Sequence, residues 1–303
     1  MASTNPEGLV GERAILLLAL IASSASWSAP AGQVRAPARP TADAVRTRYT
    51  EALDEIRATG AKGAAVQAFL DSLPQAGGLF VVEGDMLMTE QEVVQTYLTT
   101  QVAQGALQPG PELKINLLPS GAMDRYDRSH RLLPYAVDRR TFNNQEQYAS
   151  VVRYMADATT AWEKACPTCG LRFRHSTASD AAPSHRTVNF IVRNFDARGE
   201  YVAASFFPHD ASARRFLNVD PSFYSTDFSK VGVLRHELGH VLGYRHEHIA
   251  GVPGCYREDT RWAPLTPYDK RSVMHYFCGG GGSLALELTS IDKDGHRQAY
   301  ALR

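Results

Sequence analysis

The sequence predicts an α+β fold, with strands first and helix segregated to one side. Three observations carry this. The 303 residues are 44% hydrophobic and 21% charged, an ordinary globular composition that fills one large domain or two smaller ones. A mostly helical stretch from Thr41 to about Ala103 gives way, after a breaker at Gln108-Pro-Gly-Pro111, to short strand-like runs around a long amphipathic helix. Beyond them lies one unbroken polar signature, His236-Glu-Leu-Gly-His-Val-Leu-Gly-Tyr-Arg-His246, on a second helix.

The N-terminus reads as an export signal, with the domain division falling at 1–31, 32–119 and 120–303. Ala14–Ala22 is an apolar run too short to span a bilayer, and Ala29-Pro-Ala31 offers a small-residue cleavage site, with Ala25 competing. The flank is weak, because Glu7 and Glu12 accompany Arg13; an N-terminal anchor or a buried helix are the alternatives. Gln33–Pro40 is an Ala, Pro and Arg linker. Apolar residues at three and four spacing then predict helices over 42–58, 64–72 and 90–101. Between the last two, Leu79–Met88 is an apolar strand interrupted by Gly84-Asp85.

In the C-terminal part, strands are expected at 131–137, 171–175, 187–193, 201–207 and 215–219. A long helix over 145–165 carries Tyr148, Val152, Met155, Ala158 and Trp162 near one stripe. Ser229 caps a helix over 231–242, with Val231, Leu234, Leu238 and Val241 or Leu242 on its apolar face. After Gly279–Gly282 a strand and a short helix from Ile291 are expected.

At about 3.6 residues per turn, His236 and His240 lie one above the other and can share a metal ion. Glu237 points to the flank of that site. Gly243 allows the left-handed backbone that ends the helix, so the chain can turn back and bring in His246. Three protein ligands with an open fourth position describe a catalytic zinc site, with Zn²⁺ as the cofactor.

The pattern fits H-E-x-x-H-x-x-G-x-x-H at every fixed position and resembles the metzincin zinc proteases. Ser272-Val-Met-His-Tyr276 resembles their Met-turn, with Met274 beneath the metal. Tyr276 is similar to the tyrosine with which astacin-like enzymes steady the oxyanion, and Glu247 also agrees with that group as a structural carboxylate. Leu234–His240, Pro267–Tyr276 and Val81-Val-Glu-Gly-Asp-Met-Leu-Met88 resemble bacterial secreted metalloproteases of the dual-action HEIGH group, a likeness running over roughly 79–300.

The resemblance implies a protease domain of twisted mixed sheet, backing helix, active-site helix, Met-turn and small C-terminal subdomain, behind a mostly helical pro-segment. It implies Zn²⁺ held by His236, His240 and His246, Glu237 as general base, Tyr276 as oxyanion partner, and Tyr201–Phe207 as the edge that pairs with an extended substrate. Astacin precursors carry a Phe-x-Gly-Asp element whose Asp blocks the zinc. Here Phe80-Val-Val-Glu-Gly-Asp85 has its Phe two residues further away, and Gly-Asp is also a common turn. No cysteine precedes Cys166, which excludes a cysteine-bearing pro-segment of the matrixin type.

Formal net charge is zero, so no imbalance points to nucleic acid or an anionic surface. The expected protein is a secreted monomeric endopeptidase with protein or peptide substrates, no nucleic-acid partner and no stable membrane association. Its four cysteines permit three pairings, of which the local ones, 166–169 and 255–278, are expected. Two other functions compete: a secreted zinc-binding or adhesion module without activity, and a zinc hydrolase acting on something other than peptides. Glu237 argues against the first, since a purely structural site has no use for a base.

Overall fold

Side chains of Asn144, Ser229 and Thr289 capture free N–H groups where three of the helices begin. A computed structural model of the chain describes residues 42–82, 84–98, 113–250, 252, 255 and 262–301; the export signal and the linker lie outside them. Helices α1 (Ala42–Thr59) and α2 (Ala64–Leu70) pack together over Ala52, Ile56, Val66, Phe69 and Leu70, all buried. The Glu55 carboxylate accepts from the backbone N–H groups of Gly63 and Val66 at 3.0 and 2.8 Å, tying the start of α2 to α1.

Strands β1 (Gln75–Ala76), β2 (Leu79–Val82) and β3 (Met86–Met88) form a small antiparallel sheet in that order. The expected strand 79–88 is therefore a hairpin, folded at Gly84-Asp85. The segment expected to be helical over 90–101 is π-helical over Glu92–Leu98; residues 99–101 lie outside the described ones.

The larger sheet joins β5 (Leu132–Val137), β6 (Arg172–His175), β7 (Phe190–Asn194), β8 (Ala203–Ala204) and β9 (Phe216–Val219) in the order β6-β5-β7-β9-β8. All pairs are parallel except β8 with β9, which leaves β8 as an antiparallel edge. The expected strand 201–207 is thus only two residues long. One further bond continues its ladder, Asp220 N–H donating to the Val202 carbonyl at 3.0 Å, and on the other side Phe207 N–H donates to the Asp210 carboxylate at 2.7 Å.

Helix α3 (Gln145–Ala165) backs this sheet. Asn144 caps it by accepting from Gln147 N–H at 2.9 Å, and the chain turns away through Gly170 at φ +73°. Tyr148, Val151, Met155, Ala158 and Trp162 follow one face into the core. Trp162 is fully buried, stacks on Tyr244 at 5.3 Å between ring centres, and donates its indole N–H to the Arg235 carbonyl at 2.9 Å. Trp162→Ala is expected to cost about 3–5 kcal/mol of stability. A urea titration checks this: the midpoint falls while the slope is unchanged.

The remaining strands were not anticipated. β4 (Lys114–Asn116) pairs antiparallel with both β10 (Tyr244–Arg245) and β11 (Trp262–Pro264). β4 precedes the boundary expected near 120, yet it is hydrogen-bonded to the chain on either side of His246. The strand expected after Gly282 is absent. Leu286 there has φ +45°, which a β-strand cannot accommodate, and the carbonyls of Leu284 and Leu286 accept from Ser229 N–H and the Arg235 guanidinium. Helix α5 (Ser290–Tyr300) closes the chain behind a capping box between Thr289 and Asp292.

Disulfides join Cys166 to Cys169 and Cys255 to Cys278, the two local pairings. No described helix is long and apolar enough to cross a membrane.

Candidate metal centre

Helix α4 (Lys230–Val241) opens at Ser229, whose hydroxyl accepts from Gly232 N–H at 3.1 Å, and ends at Gly243. Gly243 has φ +93°, and a Cβ there would stand 2.0 Å from the Asp124 carbonyl oxygen. Both the conformation and the space demand glycine. The reversal carries the chain through β10 and delivers His246 opposite His236 and His240. Gly243→Ala would add about 1–2 kcal/mol of backbone strain plus a steric displacement, and so is expected to weaken metal retention about tenfold or more. Competition with a chelator reads this directly.

The three imidazoles are nearly fully buried, at 4, 1 and 0% exposure for His236, His240 and His246. His236 Nδ1 lies 2.7 Å from the Val273 carbonyl and His240 Nδ1 lies 2.8 Å from the Tyr244 carbonyl. A carbonyl only accepts, so each Nδ1 carries the proton and each Nε2 presents a lone pair. Burial pushes His240 down to about 4, favouring this neutral form.

Asp85, from the β2–β3 hairpin, enters the centre of this cluster. Its Oδ2 lies 3.2 Å from His236 Nε2, 3.1 Å from His246 Nε2 and 3.6 Å from His240 Nε2, while the latter two nitrogens are 3.2 Å apart. Four ligands about 2.0–2.1 Å from a common tetrahedral centre would be about 3.3–3.4 Å from one another. The observed separations bracket that value. Lone pairs converging at such distances repel unless a cation lies among them, so this donor set fits a metal ion. Asp85, His236, His240 and His246 form a buried group that could hold one.

Glu237 is 2% exposed, and its Oε2 has no hydrogen-bond partner. Burial pushes its carboxyl well above the usual range, and the neighbouring Asp85 charge pushes it further. The Tyr276 hydroxyl donates to Asp85 Oδ2, and its ring lies 4.3 Å from that of His246.

Met274 packs under the helix, close enough that a Cβ on Gly239 would fall 2.3 Å from its sulfur. The structure thus brings His236, Glu237, His240, His246, Met274, Tyr276 and Asp85 together. The edge residues Ala203 and Ala204 run alongside, and Met86 makes a parallel bridge to Ser205 at that edge.

Two supporting residues escaped sequence reasoning. Asp292 accepts from the Ser272 hydroxyl at 2.5 Å and from Val273 N–H at 3.0 Å, fixing the turn whose carbonyl orients His236. Thr289-Ser-Ile-Asp292 reads as a capping box, so that signal was present. Lys114 is fully buried and donates to the Glu247 carbonyl at 2.9 Å, but no local pattern marks it. Glu247 accepts from Asp269 N–H at 2.7 Å; burial raises its carboxyl to about 8, partly countered by Lys114.

No protein-family model and no curated protein matches the chain. Among solved structures it is similar to two of myroilysin. One, "Structure of myroilysin", is 14% identical with a TM-score of 0.42, covering 63% of this chain and 99% of that one. The other, "Crystal structure of myroilysin", is 14% identical with a TM-score of 0.37, covering 61% of this chain and 89% of that one.

Proposed function

We propose that the protein is a secreted, zinc-dependent endopeptidase of the astacin-like metzincin type, produced as a latent precursor. The observation that carries this reading is the convergence of three imidazole Nε2 atoms beside the buried, unpartnered Glu237 oxygen. His236, His240 and His246 would hold the zinc. When bound, zinc supplies Lewis acidity to the scissile carbonyl and lowers the pKa of water at the site.

Glu237 takes the proton from the attacking water and hands it to the leaving amine. The Tyr276 hydroxyl, which donates to Asp85 here, turns its proton to the developing oxyanion once Asp85 leaves. An extended substrate pairs its backbone with the Ala203–Ala204 edge, where Met86 now reaches Ser205.

Latency follows from Asp85. Its carboxylate fills the position a substrate needs, engages Tyr276, and adds its charge to the burial that raises the Glu237 carboxyl. Release opens that position, frees Tyr276 and removes the Asp85 charge from beside Glu237. The β4 pairing supports a cut before Leu113, since Lys114–Asn116 are bonded to β10 and β11. Two disulfides agree with an oxidising, extracellular setting.

Zinc content and casein cleavage measured on one sample of the Asp85→Ala chain test the function. One zinc per chain, with cleavage lost to a chelator and restored by zinc, is expected. One zinc per chain without cleavage would favour a zinc-binding module instead.

A further inference from the structure

A cavity of about 260 Å³ opens beside the metal cluster, next to Glu237 and Tyr276. Pockets that take a whole small molecule occupy roughly 300–1,000 Å³, so this one suits a single side chain. Its wall is apolar, with Val202, Ala203, Phe228, Val233, Phe277 and Leu286 facing it. No lysine or arginine among the described residues lines it.

The far wall is held in place against a cost. Leu286 is 7% exposed yet has φ +45°, a conformation that residues with a Cβ avoid. Arg235 fixes it by donating to the Leu286 carbonyl at 2.7 Å. Helix α4 admits the loop only because residue 232 is glycine. A Cβ there would lie 2.4 Å from the Ala285 carbonyl oxygen and 2.8 Å from the Leu286 Cβ. At the mouth, Phe277 is 59% exposed and meets Phe228 edge-on at 5.8 Å between ring centres. A strained loop, an anchoring arginine and a glycine in the active-site helix all serve to bring Leu286 against the cavity.

We infer that this cavity selects substrates carrying a large apolar residue (Leu, Met or Phe) at a position flanking the scissile bond, with Leu286 setting its depth. The inference rests on the peptidase reading above. An apolar side chain leaves water for a matching wall. A charged one would give up its water to a mostly apolar wall with no described lysine or arginine on it.

The test applies the zinc-loaded Asp85→Ala chain to a peptide library derived from a whole proteome, with cut sites read by mass spectrometry. Leu, Met and Phe are expected to be enriched about tenfold or more over Asp, Glu and Lys at one flanking position. Adding Leu286→Asn, which tolerates positive φ, is expected to lower the ratio of kcat/KM for a Leu-flanked over an Ala-flanked peptide about tenfold. A folding defect would lower both together and leave the ratio unchanged. Cuts without apolar enrichment, or a ratio unmoved by Leu286→Asn, would overturn the inference and leave the peptidase reading standing. Absence of cuts by any sample would overturn both.

Discussion

Replacing Glu237 by Gln is expected to lower kcat for peptide hydrolysis by about 10²–10⁴-fold, the range typical of a lost general base. Zinc content should stay at one equivalent, because the proposed ligands are the three imidazoles and the amide is nearly isosteric with the carboxylic acid. The loss should appear in kcat more than in KM, since Glu237 acts on the proton of the attacking water and not on substrate backbone. The side chain is 2% exposed and its Oε2 has no hydrogen-bond partner, so no fold-supporting bond is broken. Urea unfolding should therefore shift little. The variant separates chemistry from architecture.

Asp85→Ala is expected to work in the opposite direction and raise hydrolysis by the uncut chain. Asp85 Oδ2 sits 3.1–3.2 Å from two imidazole nitrogens and accepts from Tyr276. A hydrogen bond to a charged group is worth about 1.5–3 kcal/mol, which corresponds to roughly 10–100-fold in the fraction of open chains. Activity measured with a short quenched peptide should rise by that factor. Asp85→Asn, which keeps the shape and removes the charge, should fall between the two. Activity unchanged in both would mean that the carboxylate is only the turn of its hairpin.

The clustering of the three histidines was legible because its information is local. Spacing along one helix places His236 and His240 together, and a single glycine at the helix end accounts for the return of His246. The bounds of α3 and the capping of α4 by Ser229 were equally local and match the expectation. What escaped was carried by distant partners. The sheet of β4, β10 and β11 is built from pieces two or three residues long, too short for any periodic signal. The strand expected after Gly282 is apolar in pattern, but Leu286 is committed to a positive φ by its bond to Arg235 and by the room at Gly232. The edge at 201–207 shrinks because its ladder with β9 stops after Val202 on one side, while Phe207 on the other bonds to the Asp210 carboxylate. Asp85 is intermediate: Gly-Asp marks a turn in sequence, and only the hairpin shows that the turn ends among the three histidines.

These two substitutions meet in one measurement: cleavage of a single quenched peptide by zinc-loaded Asp85→Ala and by zinc-loaded Asp85→Ala/Glu237→Gln, at equal zinc content. The first should cleave and the second should be slower by about 10²–10⁴-fold. Equal rates, or no cleavage by either protein, would contradict a zinc peptidase whose base is Glu237.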